Sequence, residues 1–399
     1  MMDIALNRLT TKKALYERIA KQGTVSKGDL MPLFDIKTST MNRLIDELLS
    51  EKLIIESGFG PSNGGRKPIL FRINPSWGYF FGLEISRFYS TLGLYDMAMN
   101  PMSITRWRMD EDMTPEKFIK QAATTIRSLL LDHKLTIERI KGIGIGAVGP
   151  LDRDAGIILN PLYFPAKGWM NVPICKLIEE QIGIMAKLDN GANTALLGEN
   201  WAMRESQLQH MLYVHAGVSL RSSMMSYGHI VHGSVDREGS IGQMIIQTDG
   251  PRLHDKGNYG ALEAYVSVQA IERKAQSEAK LGRVGLISRS AVRPEDIRYD
   301  LLLSELALEN PVTLELFLKS ARHLGIGLAN LINIFHPECI VLGGTLINSH
   351  ESFYRTAIEV AIDNTYHYPE YTPHFSKGIL REDAVATGAA LMMWRDMSV

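Results

Sequence analysis

The chain has 399 residues, 45% of them hydrophobic and 22% charged, enough for two or three globular domains with sizeable cores. No apolar run reaches the roughly 18 residues of a membrane span, and the opening MMDIALNRLTTKK is not expected to be a signal peptide. Two distant cysteines, Cys175 and Cys339, argue against a disulfide framework and for a cytoplasmic protein. The net charge of −1 hides an asymmetry: residues 1–75 carry twelve Lys/Arg against eight Asp/Glu, and the remainder 31 against 36. A basic module joined to an acidic one points to a polyanionic partner at the N-terminal end.

Three helices are predicted in the first 75 residues. Leu15 and Ile19 stand four apart in a helix over 11–22 that Gly23 ends. Ser26 opens a second, with Asp29 three residues on in a capping-box pattern. After a turn at Asp35-Ile36-Lys37, Met41, Leu44, Ile45 and Leu48 line one face of a third. Its first turn offers Lys37, Thr38, Ser39, Thr40, Asn42 and Arg43, side chains that bond phosphates and base edges when a helix end enters the major groove. Extended runs at 53–56 and 69–72 flank a Gly-rich loop ending in Arg66-Lys67, which reads as a wing with cations for the DNA backbone. A three-helix domain with a hairpin, used for protein contacts, is the competing reading. Helix order, the tight turn and the basic wing favour a winged helix-turn-helix that binds double-stranded DNA.

From residue 76 to 399, strands alternate with helices. Strands are predicted at 79–95, 140–148, 211–214, 224–226 and 339–342. Helices are predicted at 115–131, 173–181, 261–280, 311–335 and 387–394, with a strand-to-helix junction at 185–200. The pattern is that of an α/β protein with two lobes and a cleft. Gly144, Gly146 and Gly149 match a dinucleotide fingerprint, but Pro150 follows where a helix would have to begin, so nicotinamide or flavin binding is not expected.

Four segments in order give a closer likeness: GIGIGAVGPLDRDAGII at 142–158, GWMNVPICKLIEEQIGIMAKLDNGANTALLGE at 168–199, GSIGQM at 239–244 with KGNYGALEAYVS at 256–267, and GLANLINIFHPECIVLGGTL at 327–346. Together they resemble the ROK family (repressors, open reading frames and kinases), especially its repressors of the xylose and N-acetylglucosamine type. The resemblance implies a two-lobed actin-like ATPase/sugar-kinase fold, a sugar site in the cleft, and dimers or tetramers. Lobe one would be about 76–188 plus the C-terminal helix, and lobe two about 189–380.

Against that family the chemistry is missing. Glu84-Ile85-Ser86-Arg87-Phe88 stands where kinases of the family carry a DxGGT phosphate turn, and Gly217-Val218-Ser219-Leu220-Arg221 where they carry GTGIG. The aspartate that would act as general base is Gly191, which accepts no proton. The zinc ligands, one histidine and three cysteines, fall on Gln243, His254, Lys256 and Ala261, so neither zinc nor ATP is expected as a cofactor. Sugar contacts are altered at Ala166, Ser240 and Gln243, while Asn190 and Glu263 remain; with Asp189 these form the expected effector site. Lost charged partners make the pocket roomier and less acidic, which points to a modified or larger carbohydrate-like ligand. Three functions follow: a DNA-binding repressor of carbohydrate-related genes with a pseudokinase domain, a sugar kinase with an N-terminal extension, and a regulator whose kinase-like domain is only a dimer scaffold.

Overall fold

A computed structural model describes residues 2–61, 67–234, 238–282, 285–287 and 292–399. Helix α1 (Met2–Gln22) starts well before the expected residue 11 and stops where Gly23 takes the left-handed φ of +81°. Leu15 and Ile19 are fully buried, as their spacing predicts. Strand β1 (Thr24–Ser26) leads into α2 (Lys27–Leu30), whose capping box is complete: Ser26 Oγ accepts from Asp29 N (3.2 Å) and Asp29 Oδ2 accepts from Ser26 N (2.8 Å). A single 3-10 turn, Met31–Leu33, and a short link lead to α3 (Thr38–Ser50). The four apolar residues of its predicted face are all buried, each contributing roughly 1.5–3 kcal/mol of burial. Strands β2 (Ile54–Phe59) and β3 (Ile69–Ile73) pair with each other and with β1, in the order β1-β3-β2.

The run at 79–95 turns back on itself. It forms β4 (Tyr79–Ile85) and β5 (Tyr89–Asp96), followed by β6 (Pro101–Arg108), which the sequence pattern did not isolate. Then come α4 (Pro115–Asp132), β7 (Ile140–Ala147), the short β8 (Leu151–Asp152) and β9 (Ile157–Ile158), α5 (Ile174–Ile182), β10 (Ala186–Asn190) and α6 (Gly191–Ala202). The sheet order is β10-β7-β4-β5-β6, with β10, β7 and β4 parallel, so Asn190, Ala147 and Ile85 lie side by side at one edge. The glycines of β7 alternate onto one face of this sheet, where the C-terminal helix lies. A Cβ at Gly144 would stand 1.8 Å from Ala389 O, and one at Gly82, its partner on β4, 1.9 Å from Ala386 O. The apparent dinucleotide fingerprint is thus a device for close helix-to-sheet packing.

A second sheet, in the order β13-β12-β11-β14-β15, is built from β11 (Met211–Ala216), β12 (Leu220–Ser226), β13 (His229–Ile230), β14 (Cys339–Gly343) and β15 (His374–Ser376). Its helices are α7 (Val268–Lys280), α8 (Tyr299–Ala307), α9 (Pro311–Phe335) and α10 (Glu351–Asp363). Asn310 caps the 25-residue α9 by accepting from Val312 N and Thr313 N. The chain ends in α11 (Ala384–Asp396).

Two compact units result: Met1–Gln207 with Glu382–Val399, and Leu208–Arg381. The lobe border expected at 188/189 therefore falls at 207/208, and α6 belongs to the first unit. The cause is its packing on α11, where a Cβ at Gly388 would stand 1.6 Å from Thr194 O. The N-terminal segment is part of that unit too. Asn74 Nδ2 donates to Lys52 O (2.8 Å), Trp77 Nε1 to Glu51 O (3.0 Å), and Tyr16 stacks on Trp394.

Candidate functional site

Helix α3 separates its residues cleanly. Lys37, Thr38, Ser39, Asn42 and Arg43 are exposed and Thr40 is half-buried, on the side opposite the buried apolar face. No side chain caps the helix and its first turn holds no acid, so its N–H groups and partial positive charge face outward. Lys27 joins this edge: its Nζ donates to Asn42 Oδ1 (3.0 Å) and lies 5.9 Å from the Phe71 ring centroid. The sequence pattern missed Lys27, though its place directly after the capping Ser26 was a signal. Lys67 is exposed at the start of the return strand, as is Arg72 within it, whereas Arg66 lies outside the described residues.

In the first unit, Asp189 and Asn190 form the buried end of β10. Asn190 Oδ1 caps α6 by accepting from Asn193 N (2.8 Å). Asp189 Oδ1 accepts from Asn190 N (2.7 Å) and Asn193 Nδ2 (2.9 Å), with Arg153 Nη1 at 4.0 Å. Gly191, the first residue of α6, brings only backbone to the position of the general base. The Asp189 carboxylate is held by these donors.

Arg87 fills the turn between β4 and β5. Its side chain is buried, its Nε donates to Leu162 O (2.8 Å), and its guanidinium lies 6.0 Å from the Tyr163 ring centroid. A turn that must let phosphate approach backbone N–H groups instead holds a bulky cation tied to a neighbouring loop.

The other expected effector residues lie in the second unit. Glu263 is buried, its Oε1 accepting from Leu220 N (3.2 Å) and its Oε2 from Gln243 Nε2 (3.3 Å). Gln243, at the position of the zinc-binding histidine, also accepts from Asn258 N through Oε1 (2.9 Å). Ser240 is exposed. Burial lowers the pKa of His254, Lys256 is exposed and Ala261 is buried. Leu220, in the second phosphate loop, is fully buried and packs into the core of this unit. Among the described residues no group of three or more His, Cys, Asp or Glu could hold a metal ion. No helix among them is long and apolar enough to cross a membrane.

Each of the two units holds a mixed five-stranded sheet, an arrangement of the two-sheet fold that a solved ROK family transcriptional regulator shares. The chain belongs to the ROK family, which it matches over residues 82–396. It is 26% identical over 398 residues to a putative xylose repressor from a Caldicellulosiruptor species, covering 100% of this chain and 98% of that one. It is 22% identical over 346 residues to the DNA-binding transcriptional dual regulator NagC of Escherichia coli, covering 86% and 82%. A crystal structure of a ROK family transcriptional regulator, a homologue of the E. coli MLC protein, superimposes with a TM-score of 0.77. At 19% identity it covers 98% of this chain and 97% of that one and establishes the shared fold.

Proposed function

We propose that the chain is a sequence-specific, DNA-binding repressor of carbohydrate-related genes whose kinase-like domain does not transfer phosphate. Residues 1–75 are read as a winged helix-turn-helix, with α3 as the recognition helix and the loop between β2 and β3 as the wing. The observation that carries this reading is the first turn of α3: polar, cationic, exposed and without a side-chain cap. Relatives named as a xylose repressor and as a DNA-binding regulator support it. Gly191 at the base position and Arg87 in the phosphate turn support the loss of kinase activity. The protein would act in the cytoplasm as a dimer or tetramer, two copies reading a palindromic operator.

The effector would be carbohydrate-like and bound without zinc or ATP, with Asp189 and Asn190 the candidate contacts in the first unit and Glu263, Gln243 and Ser240 those in the second, each set taken by itself. Titration of a duplex selected from a random pool tests the first part, and absence of sequence-specific binding sinks it. Calorimetry with D-xylose, D-glucose and N-acetylglucosamine tests the second. Affinity for a hit should fall in a Glu263→Ala variant, and micromolar binding of plain glucose would refute the altered pocket.

A further inference from the structure

Helix α6 joins two places that the sequence keeps far apart. Its N-terminus is the Asn190-capped end of the effector site, and residues Gly191 to Trp201 are all buried. At 12 residues it spans roughly 18 Å. Its backbone packs closely on α11, where a Cβ at Gly388 would stand 1.6 Å from Thr194 O, and a close-packed interior transmits strain.

At the far end, the Trp201 ring meets Trp394 at 5.6 Å and an interplanar angle of 55°. Trp394 in turn stacks on Tyr16 of α1, at 5.6 Å and 23°. Trp394 Nε1 donates to Met97 O (3.0 Å), which ties that ring to the first α/β sheet and leaves Tyr16 as the partner on the DNA-binding side.

This junction is not built for maximal stability. Among the described residues the buried Tyr16 hydroxyl has no well-formed hydrogen bond and only the Trp394 side chain as a polar neighbour, where a phenylalanine would pack without that cost. Further along α1, burial and the like charge of Arg395 both lower the pKa of Lys21. A contact with such costs can yield when its partner shifts.

We infer that Trp201, Trp394 and Tyr16 are positioning residues that couple the effector end of α6 to the placement of the DNA-binding segment. The inference rests on the functional reading above and adds the route of regulation. Linkage makes the coupling reciprocal, so DNA binding must also be felt at the start of α6.

The test uses the full chain, a duplex selected from a random pool, and amide hydrogen exchange. Anisotropy first reads duplex binding, and a chain that binds no duplex overturns the repressor reading and this inference together. With binding established, the duplex is expected to change exchange in the peptide over residues 189–194 by about threefold or more. Tyr16→Phe, which keeps the ring, should retain that change. Tyr16→Ala and Trp394→Leu should still bind the duplex yet lose the change. No response in the wild type, or a full response in either ring-deleted variant, overturns the coupling while leaving the repressor reading intact. Should Trp394→Leu fail to fold, Tyr16→Ala alone decides the matter.

Discussion

Helices α3 and α6 both begin beside candidate functional residues, but they begin in opposite ways. The start of α3 is exposed, preceded by Lys37, and has no side-chain cap. The start of α6 is buried, capped by Asn190, with Asp189 holding both Asn190 N and Asn193 Nδ2. The first can accept an anion from outside with little rearrangement. In the second, Asn190 Oδ1 holds Asn193 N, and the first residue of the helix is a glycine. An exposed, unsatisfied helix end is suited to recognition, whereas a buried, satisfied one is suited to support and sensing. The contrast is the physical basis for proposing α3, and not α6, as the contact for a polyanion.

The most damaging result for this contrast would be catalysis. General-base contributions run to about 10²–10⁴ in rate, and Arg87 also obstructs the phosphate turn. ATP-dependent phosphorylation of hexoses, pentoses and N-acetylated sugars should therefore stay at background in a coupled assay. A Gly191→Asp variant should stay there too, because Arg87 is untouched. Turnover above background in the wild type would break the assignment of α6.

Smaller effects sharpen the assignment of α3. Arg43→Ala should cost about 1–3 kcal/mol at the base pair it reads and relax discrimination there. Competition titrations with single-base variants of the selected duplex would reveal it. Lys67→Ala should instead weaken all sequences alike and reduce the slope of log affinity against log salt by about 1. The two helix starts can also be compared directly. Asn190→Ala should lower stability by about 0.5–2 kcal/mol, since it removes a buried cap. Lys37→Ala should leave stability within about 0.5 kcal/mol of wild type but weaken DNA binding. Denaturant melts and duplex titrations on both variants test whether the roles divide in this way.

Much of this was legible before any coordinates. The i, i+3, i+4, i+7 spacing of Met41, Leu44, Ile45 and Leu48 fixes which face of α3 is buried, because a 3.6-residue period leaves no other face continuous. Ser26 and Asp29 likewise announce their capping box at three-residue spacing. What escaped the sequence depends on contacts between distant residues. The run at 79–95 reverses at Ser86–Phe88, where Ser86 and Arg87 do interrupt the apolar pattern, but no Gly, Pro, Asn or Asp stands there to announce a turn. The lobe border was misplaced because Gly388 and Thr194 come together only when α11 returns to the first unit. Among the candidate effector residues, the types at Asp189 and Asn190 in the first unit and at Gln243 and Glu263 in the second were visible. Their hydrogen-bond partners, Asn193 Nδ2, Leu220 N and Asn258 N among them, were not.

The smallest predicted effect lies at the entrance to α3, in the box that fixes α2. Asp29 accepts from both Ser26 N and Ser26 Oγ at 2.8 Å, and these bonds hold its carboxyl below the ordinary aspartate pKa. In the unfolded chain the group titrates near its reference value of about 3.9. A carboxyl whose pKa is depressed by folding stabilises the fold above its unfolded pKa and loses that contribution as pH falls through the folded one. The contribution of Asp29 is therefore complete at neutral pH and disappears below about pH 4. Asp29→Asn should be less stable than wild type at pH 7, with the gap closing as pH is lowered through that window. Because Asp29 is largely solvent-exposed, the gap should be small, and melting curves for both proteins at pH 7, 5 and 3 would measure it. A gap that widened on acidification would mean that Asp29 does not hold the turn before α3 as its carboxylate.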